Sequence, residues 1–128
     1  MYHDFREKGA SMRVLIVEDN ALTRHTIKAL LNKLGHEVVG EAEESVGAVR
    51  CFTELKPDVV FLDLILPGKS GVEIFEDLRK INPKPKIVIL TAVEQEEIDR
   101  QLSNKGADAI MRKPFSFEEF KTLLKSIS

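Results

Sequence analysis

The sequence contains no tryptophan, one cysteine, one tyrosine and only 6% aromatic residues. With Cys51 alone, no disulfide can form within the chain, so the fold must rest on its core. A lone thiol also fits a reducing compartment, and a cytoplasmic location is expected. Long apolar runs are missing too. The longest hold four residues, far below the ~20 that a membrane-spanning helix needs, so no membrane partner is expected. Nor does either charge sign dominate: 19 Lys and Arg stand against 21 Asp and Glu, a net charge of −2. That balance leaves no basic field to hold phosphates, and no direct nucleic-acid partner is expected. Internal repeats, heptad arrays and low-complexity tracts are absent. What is there is 128 residues, 43% hydrophobic, enough for one core burying roughly two-thirds of the surface of the unfolded chain. Residues 1–11 mix charges with His3 and Gly9 and lack an apolar stretch. They read as a flexible N-terminal extension or cloning remnant, not a secretory signal, leaving residues 12–128 as the domain.

Three apolar runs are unbroken and rich in β-branched residues: Val14 to Val17, Val59 to Leu62 and Ile87 to Leu90. Such runs suit strands buried on both faces of a sheet. Glu37 to Ala42 and Ala109 to Arg112 supply shorter second and fifth strands. Helical spacing falls between them: Leu22, Ile27, Leu30, Leu31 and Leu34, then Ala48, Phe52 and Leu55, then Ile74, Phe75, Leu78 and Ile81. Gln95 to Lys105 and Ser116 to Ser126 supply the fourth and fifth helices. Ser70 with Glu73 and Ser116 with Glu119 read as capping boxes, and Gly35 and Gly106 stand where helices should stop. The pattern is five β/α units, an α/β fold on a parallel sheet. The fourth helix has only Ile98 and Leu102 as large apolar residues, so it reads as a shallowly anchored, solvated element.

Parallel strands joined by right-handed crossovers put every strand's C-terminal end on one edge, where such folds bind ligands. The first strand ends in Glu18-Asp19, the third in Asp63, the fourth in Thr91 and the fifth in Arg112-Lys113-Pro114. If strands one and three are neighbours, three carboxylates share a pocket, which is unfavourable unless a cation or protonation relieves it, and a divalent metal is the economical answer. Oxygen-only donors favour a hard ion, Mg²⁺ or else Mn²⁺.

Taken together, Val14 to Asp19, Val59 to Asp63 with Leu66-Pro67-Gly68, Ile87 to Ala92 and Lys113-Pro114-Phe115 closely resemble the receiver domain of two-component response regulators. The resemblance extends over residues 12–128 and implies a three-layer, doubly wound (βα)5 flavodoxin-like fold with strand order 2-1-3-4-5. It further implies that Asp63 accepts a phosphoryl group from a phosphohistidine. Asp19, Asp63 and the backbone carbonyl of Ile65 would coordinate Mg²⁺, with Glu18 acting through water. Lys113, the Thr91 hydroxyl and the Ala92 backbone N–H would meet the phosphoryl oxygens. The formal charges balance, with −3 from the acids against +3 from Mg²⁺ and Lys113. The Lys113–Pro114 bond is expected to be cis. The implied partners are a sensor histidine kinase or phosphotransfer protein, and a downstream protein or attached output domain, with homodimerisation left open.

The family commonly switches by swinging Thr91 and an aromatic residue on the fifth strand inward. Here the second position is Ile110, stiff at χ1 and without a ring. The expected signal path is therefore the backbone after Thr91 and the fourth helix, and Ile65 and Val93 beside the site are expected to slow loss of the phosphoryl group. Plain structural alternatives remain: Asp19 or Asn20 as a helix cap, Asp63 as a turn residue, Thr91 as a strand end, His25 as a surface residue and Cys51 as packing. Two other functions fit less well. A haloacid-dehalogenase-like phosphatase needs a second acid where Ile65 stands, and a flavin module would not place acids after Val17. A phosphorylation-independent interaction module is the remaining alternative.

Overall fold

A computed structural model describes residues 11–92 and 96–128. In chain order its elements are β1 (Arg13–Val17), α1 (Ala21–Lys33), β2 (Glu37–Ala42), α2 (Ser45–Leu55), β3 (Val59–Asp63), α3 (Gly71–Ile81), β4 (Lys86–Thr91), α4 (Glu96–Asn104), β5 (Ala109–Arg112) and α5 (Phe117–Ile127). The strands form one sheet in the order β2-β1-β3-β4-β5, and every neighbouring pair is parallel. The fold is the doubly wound, flavodoxin-like arrangement.

The apolar runs are unbroken because alternate side chains enter two separate cores. Leu15, Val17, Val60, Leu62, Ile87 and Ile89 pack on one face with Phe52 of α2, Ile74, Phe75 and Leu78 of α3, and Leu102 of α4. Val14, Ile16, Val59, Phe61, Val88 and Leu90 pack on the other with Ile27 and Leu31 of α1 and Phe120 and Leu124 of α5. Phe120 stacks between Phe61 and Phe115, with ring centroids 5.4 and 5.6 Å away.

Local chemistry sets the helix ends. Ser70 and Ser116 form capping boxes with Glu73 and Glu119, satisfying N–H groups that have no partner within the helix. Gly35 and Gly106 take φ of 87° and 100° just past α1 and α4, where a side chain would be strained.

Several sequence expectations need correction. Leu22, assigned to the buried stripe of α1, is 74% exposed. It stands in the first turn, beside a groove shared with Lys113 and Phe115, rather than over the sheet. Ile81 is 43% exposed, because α3 ends there beyond its core stripe. α5 starts at Phe117 behind the Ser116 cap, as the capping box implies, and ends at Ile127, one residue beyond the expected Ser126. α4 ends at Asn104 rather than Lys105, and Gln95 lies outside the described residues. α4 is also better anchored than its composition implied: Leu102 is fully buried, and the buried Asp99 accepts from the Arg112 guanidinium of β5 at 2.5 Å.

Candidate functional site

β1 and β3 are neighbours, with Val17 opposite Leu62, so the residues following these partners emerge side by side. Glu18, Asp19 and Asp63 accordingly offer carboxylate oxygens lying within 4.8 Å of one another. Glu18 and Asp63 are buried and Asp19 is exposed at the mouth. Asn20, not Asp19, caps α1, its Oδ1 accepting from the Thr23 N–H at 2.9 Å, which leaves the Asp19 carboxylate to the pocket.

Each buried acid is held. Glu18 Oε2 accepts from the Asn20 N–H at 3.0 Å, and Asp63 Oδ1 accepts from the Ile65 N–H at 3.1 Å. The Lys113 ammonium bridges the pair, 3.0 Å from Glu18 Oε1 and 3.1 Å from Asp63 Oδ2. Lys113 is itself fixed by its backbone N–H, which donates to the Thr91 carbonyl at 2.7 Å, and the Lys113–Pro114 peptide is cis. Thr91 is buried at the end of β4, in register with Arg112. Ala92 is exposed and lines a groove of about 440 Å³ with Lys113, Pro114, Phe115, Leu22, Thr23 and Thr26. Ile65 is 63% exposed. Ile110 is partly buried against the α2–α3–α4 core. Val93 lies outside the described residues. His25 is exposed on α1, and Cys51 is partly buried against the core.

Two close contacts carry no residue-type signature and escaped the sequence reading. The first is Gly71, whose N–H donates to the Leu64 carbonyl at 2.9 Å. A Cβ there would lie 2.4 Å from Leu64 Cα and 2.6 Å from the Asp63 carbonyl oxygen, so glycine lets α3 press on the strand end that carries Asp63. The second is Arg24, whose Nη1 donates to the Glu18 carbonyl at 2.7 Å.

Burial pushes the Glu18 carboxyl above the ordinary glutamate value of 4.5, and the Asp63 carboxylate adds to the rise; the Asn20 N–H and the Lys113 ammonium offset part of it. Burial alone would lower the Lys113 ammonium, but the hydrogen bond to Glu18 and the charge of Asp63 outweigh that and hold it above 10.5. The raised Glu18 value means the folded, metal-free protein holds this proton more tightly than the unfolded chain does. Glu18 therefore weakens the fold as pH rises from 4.5 through its raised value, and the cost is constant above that. The advantage of Glu18→Gln over wild type in magnesium-free urea unfolding is expected to grow across that window. A difference independent of pH, or shrinking as pH rises, would contradict the assignment.

A parallel α/β sheet with acids and a lysine at the carboxyl ends of its strands belongs to the class of doubly wound folds that bind ligands at that edge. Within that class, residues 14–125 match the family model of the response regulator receiver domain, and the chain belongs to that family. The Thermotoga maritima chemotaxis protein CheY is 35% identical over 116 residues, which cover 91% of this chain and 97% of that protein. The transcriptional regulatory protein PhoP of Escherichia coli is also 35% identical over 116 residues, but these cover 91% of this chain and only 52% of PhoP. Among solved structures, a LuxR-family two-component response regulator from Aurantimonas sp. SI85-9A1 superposes with a TM-score of 0.86 at 27% identity, covering 92% of this chain and 85% of that one. Vibrio cholerae CheY4 superposes with a TM-score of 0.84 at 25% identity, covering 93% and 100%. Among the described residues, no helix is long and apolar enough to cross a membrane.

Proposed function

We propose that this chain is a phosphorylation-activated receiver, with Asp63 as its acceptor. The observation that carries this reading is the gathering of three carboxylates within 4.8 Å against one ammonium that touches two of them. An Asp63 oxygen bonds to phosphorus as the P–N bond of a phosphohistidine breaks and imidazole leaves. Asp63 needs no general base for this, since a carboxylate is already ionised at neutral pH; the pocket must position it and neutralise charge. The Lys113 ammonium, the Thr91 hydroxyl and the Ala92 N–H are the donors for the incoming phosphoryl oxygens.

The donor set fits a hard divalent cation, being all oxygen with one acid exposed at the mouth. Asp19, Asp63 and the Ile65 carbonyl would hold Mg²⁺, or Mn²⁺ in its place, with Glu18 assisting through water. Such an ion supplies positive charge opposite the developing negative charge of the transferred group. Uptake of a phosphoryl group from acetyl phosphate, followed by intact mass, is expected with Mg²⁺ and not after chelation; uptake at equal rates in both would contradict the metal's role.

Switching runs from Thr91 outward. Arg112 is the register partner of Thr91 on β5 and grips Asp99 of α4, which supports a signal that reaches α4 through this pair and the backbone after Thr91. Ile110 replaces the usual aromatic partner in that relay. It is also the one residue that favours the alternative, an interaction module indifferent to phosphorylation. The donor is a sensor histidine kinase or phosphotransfer protein in the cytoplasm, and the recipient of the signal is a downstream protein or an attached output domain.

A further inference from the structure

Arg24 lies on α1, off the acid pocket, yet its guanidinium reaches the backbone of the residue that opens it. Nη1 donates to the Glu18 carbonyl at 2.7 Å, Nε donates to Glu41 Oε1 of β2 at 3.1 Å, and Nη2 stands 3.9 Å from Glu43 Oε2. Glu41 is fixed from its other oxygen by Lys28, one helical turn beyond Arg24, at 3.1 Å. The Arg24 side chain is mostly buried. One planar group thus spans α1, the β1 exit and β2, and it holds the peptide between Glu18 and Asp19 through its carbonyl.

We propose that Arg24 is a positioning residue for cation binding: it fixes the Glu18–Asp19 peptide so that these carboxylates point into the pocket before the ion arrives. This rests on the receiver reading above. Charge does not explain the arrangement. Arg24 and Lys28 together are balanced by Glu41 and Glu43, so the cluster presents little net field to the acids beside it. What remains is geometry. The first α1 turn already restrains the chain at Asn20, through the Arg24 N–H to the Asn20 carbonyl at 3.0 Å, and the guanidinium restrains it at Glu18. A fork with fixed donor directions can hold a carbonyl and a carboxylate at once, which a lysine ammonium at the same place does with much looser geometry. Groups that orient metal ligands from behind typically change affinity by roughly 10–100-fold when removed.

The test compares wild type, Arg24→Lys, Arg24→Met and Glu41→Gln, the last removing the far anchor of the guanidinium without touching the pocket. Mg²⁺ affinity by calorimetry is expected to weaken about tenfold in both Arg24 variants and by a smaller factor in Glu41→Gln. In the metal-free variants, amide exchange at Asp19 and Asn20 is expected to quicken while that of the β3 and β4 cores stays at the wild-type rate. Phosphoryl uptake from acetyl phosphate should need more Mg²⁺ but reach the wild-type maximal rate at saturation. Arg24→Met binding Mg²⁺ within twofold of wild type would overturn the proposal. So would Arg24→Lys binding normally, which would make charge the cause. A fallen maximal rate with unchanged Mg²⁺ affinity would overturn it too, by placing Arg24 on the phosphoryl chemistry. If wild type itself binds no Mg²⁺, the receiver reading falls and this inference with it; wild-type binding with unaltered variants removes this inference alone.

Discussion

Lys113→Met is expected to move two properties in opposite directions, slowing phosphoryl uptake while tightening Mg²⁺ binding. Lys113 is the ammonium that faces both Glu18 and Asp63. Glu18 is fully buried and the Lys113 side chain only 19% exposed, so deleting the lysine leaves a buried carboxylate beside a second one. Breaking a buried pair in this way costs about 3 kcal/mol, at the low end for such pairs because Lys113 keeps some contact with water. Added Mg²⁺ should recover much of that loss, since it binds the folded state and meets acids no longer shared with an ammonium. The affinity gain is expected to be about tenfold, the size of a modest change in charge at this range. Uptake nonetheless falls by about 100-fold or more, because a donor aimed at the transferred group is gone. Urea unfolding with and without Mg²⁺, calorimetry and timed intact mass read the three effects. Unchanged uptake would remove Lys113 from the phosphoryl site.

The second large effect comes from a residue with no polar side chain. Gly71→Ala would put a methyl carbon 2.4 Å from Leu64 Cα and 2.6 Å from the Asp63 carbonyl oxygen. These are backbone atoms at the end of a strand buried on both faces, so neither can turn aside as a flexible side chain would. Relief requires α3 to lift or the Asp63–Leu64 segment to shift, breaking the Gly71 N–H to Leu64 carbonyl bond. Overpacking usually costs about 1–3 kcal/mol, and contact with backbone places this case at or above the upper end. Because the strained segment carries Asp63, Mg²⁺ affinity and phosphoryl uptake are expected to fall alongside stability. A urea midpoint within experimental error of wild type would show that the close approach is readily relieved.

The fold was legible because its strands announce themselves. Val59 to Leu62 is an unbroken β-branched and aromatic run, as a strand feeding two cores must be, and Asp63 is conspicuous as the acid at its end. The acids after Val17 could be brought to Asp63 by assuming that β1 and β3 are neighbours, and the sheet order makes them so. Periodicity failed at Leu22, since the first turn of α1 carries it beside the Lys113–Phe115 groove and clear of the sheet. Composition undervalued α4, because Asp99 looks like a solvated acid until Arg112 is seen opposite it. Arg24 and Gly71 escaped because both act on backbone atoms. A carbonyl that accepts a guanidinium, or a strand that leaves no room for a Cβ, has no counterpart in the pattern of side chains.

Wild type and Asp63→Asn are incubated with acetyl phosphate and Mg²⁺, weighed intact, then reduced with borohydride and mapped as peptides. Wild type is expected to carry one phosphoryl group and Asp63→Asn none, with homoserine at position 63 as the trace of the acyl phosphate. A phosphoryl group carried equally by both proteins, or homoserine at another carboxylate, would contradict Asp63 as the acceptor.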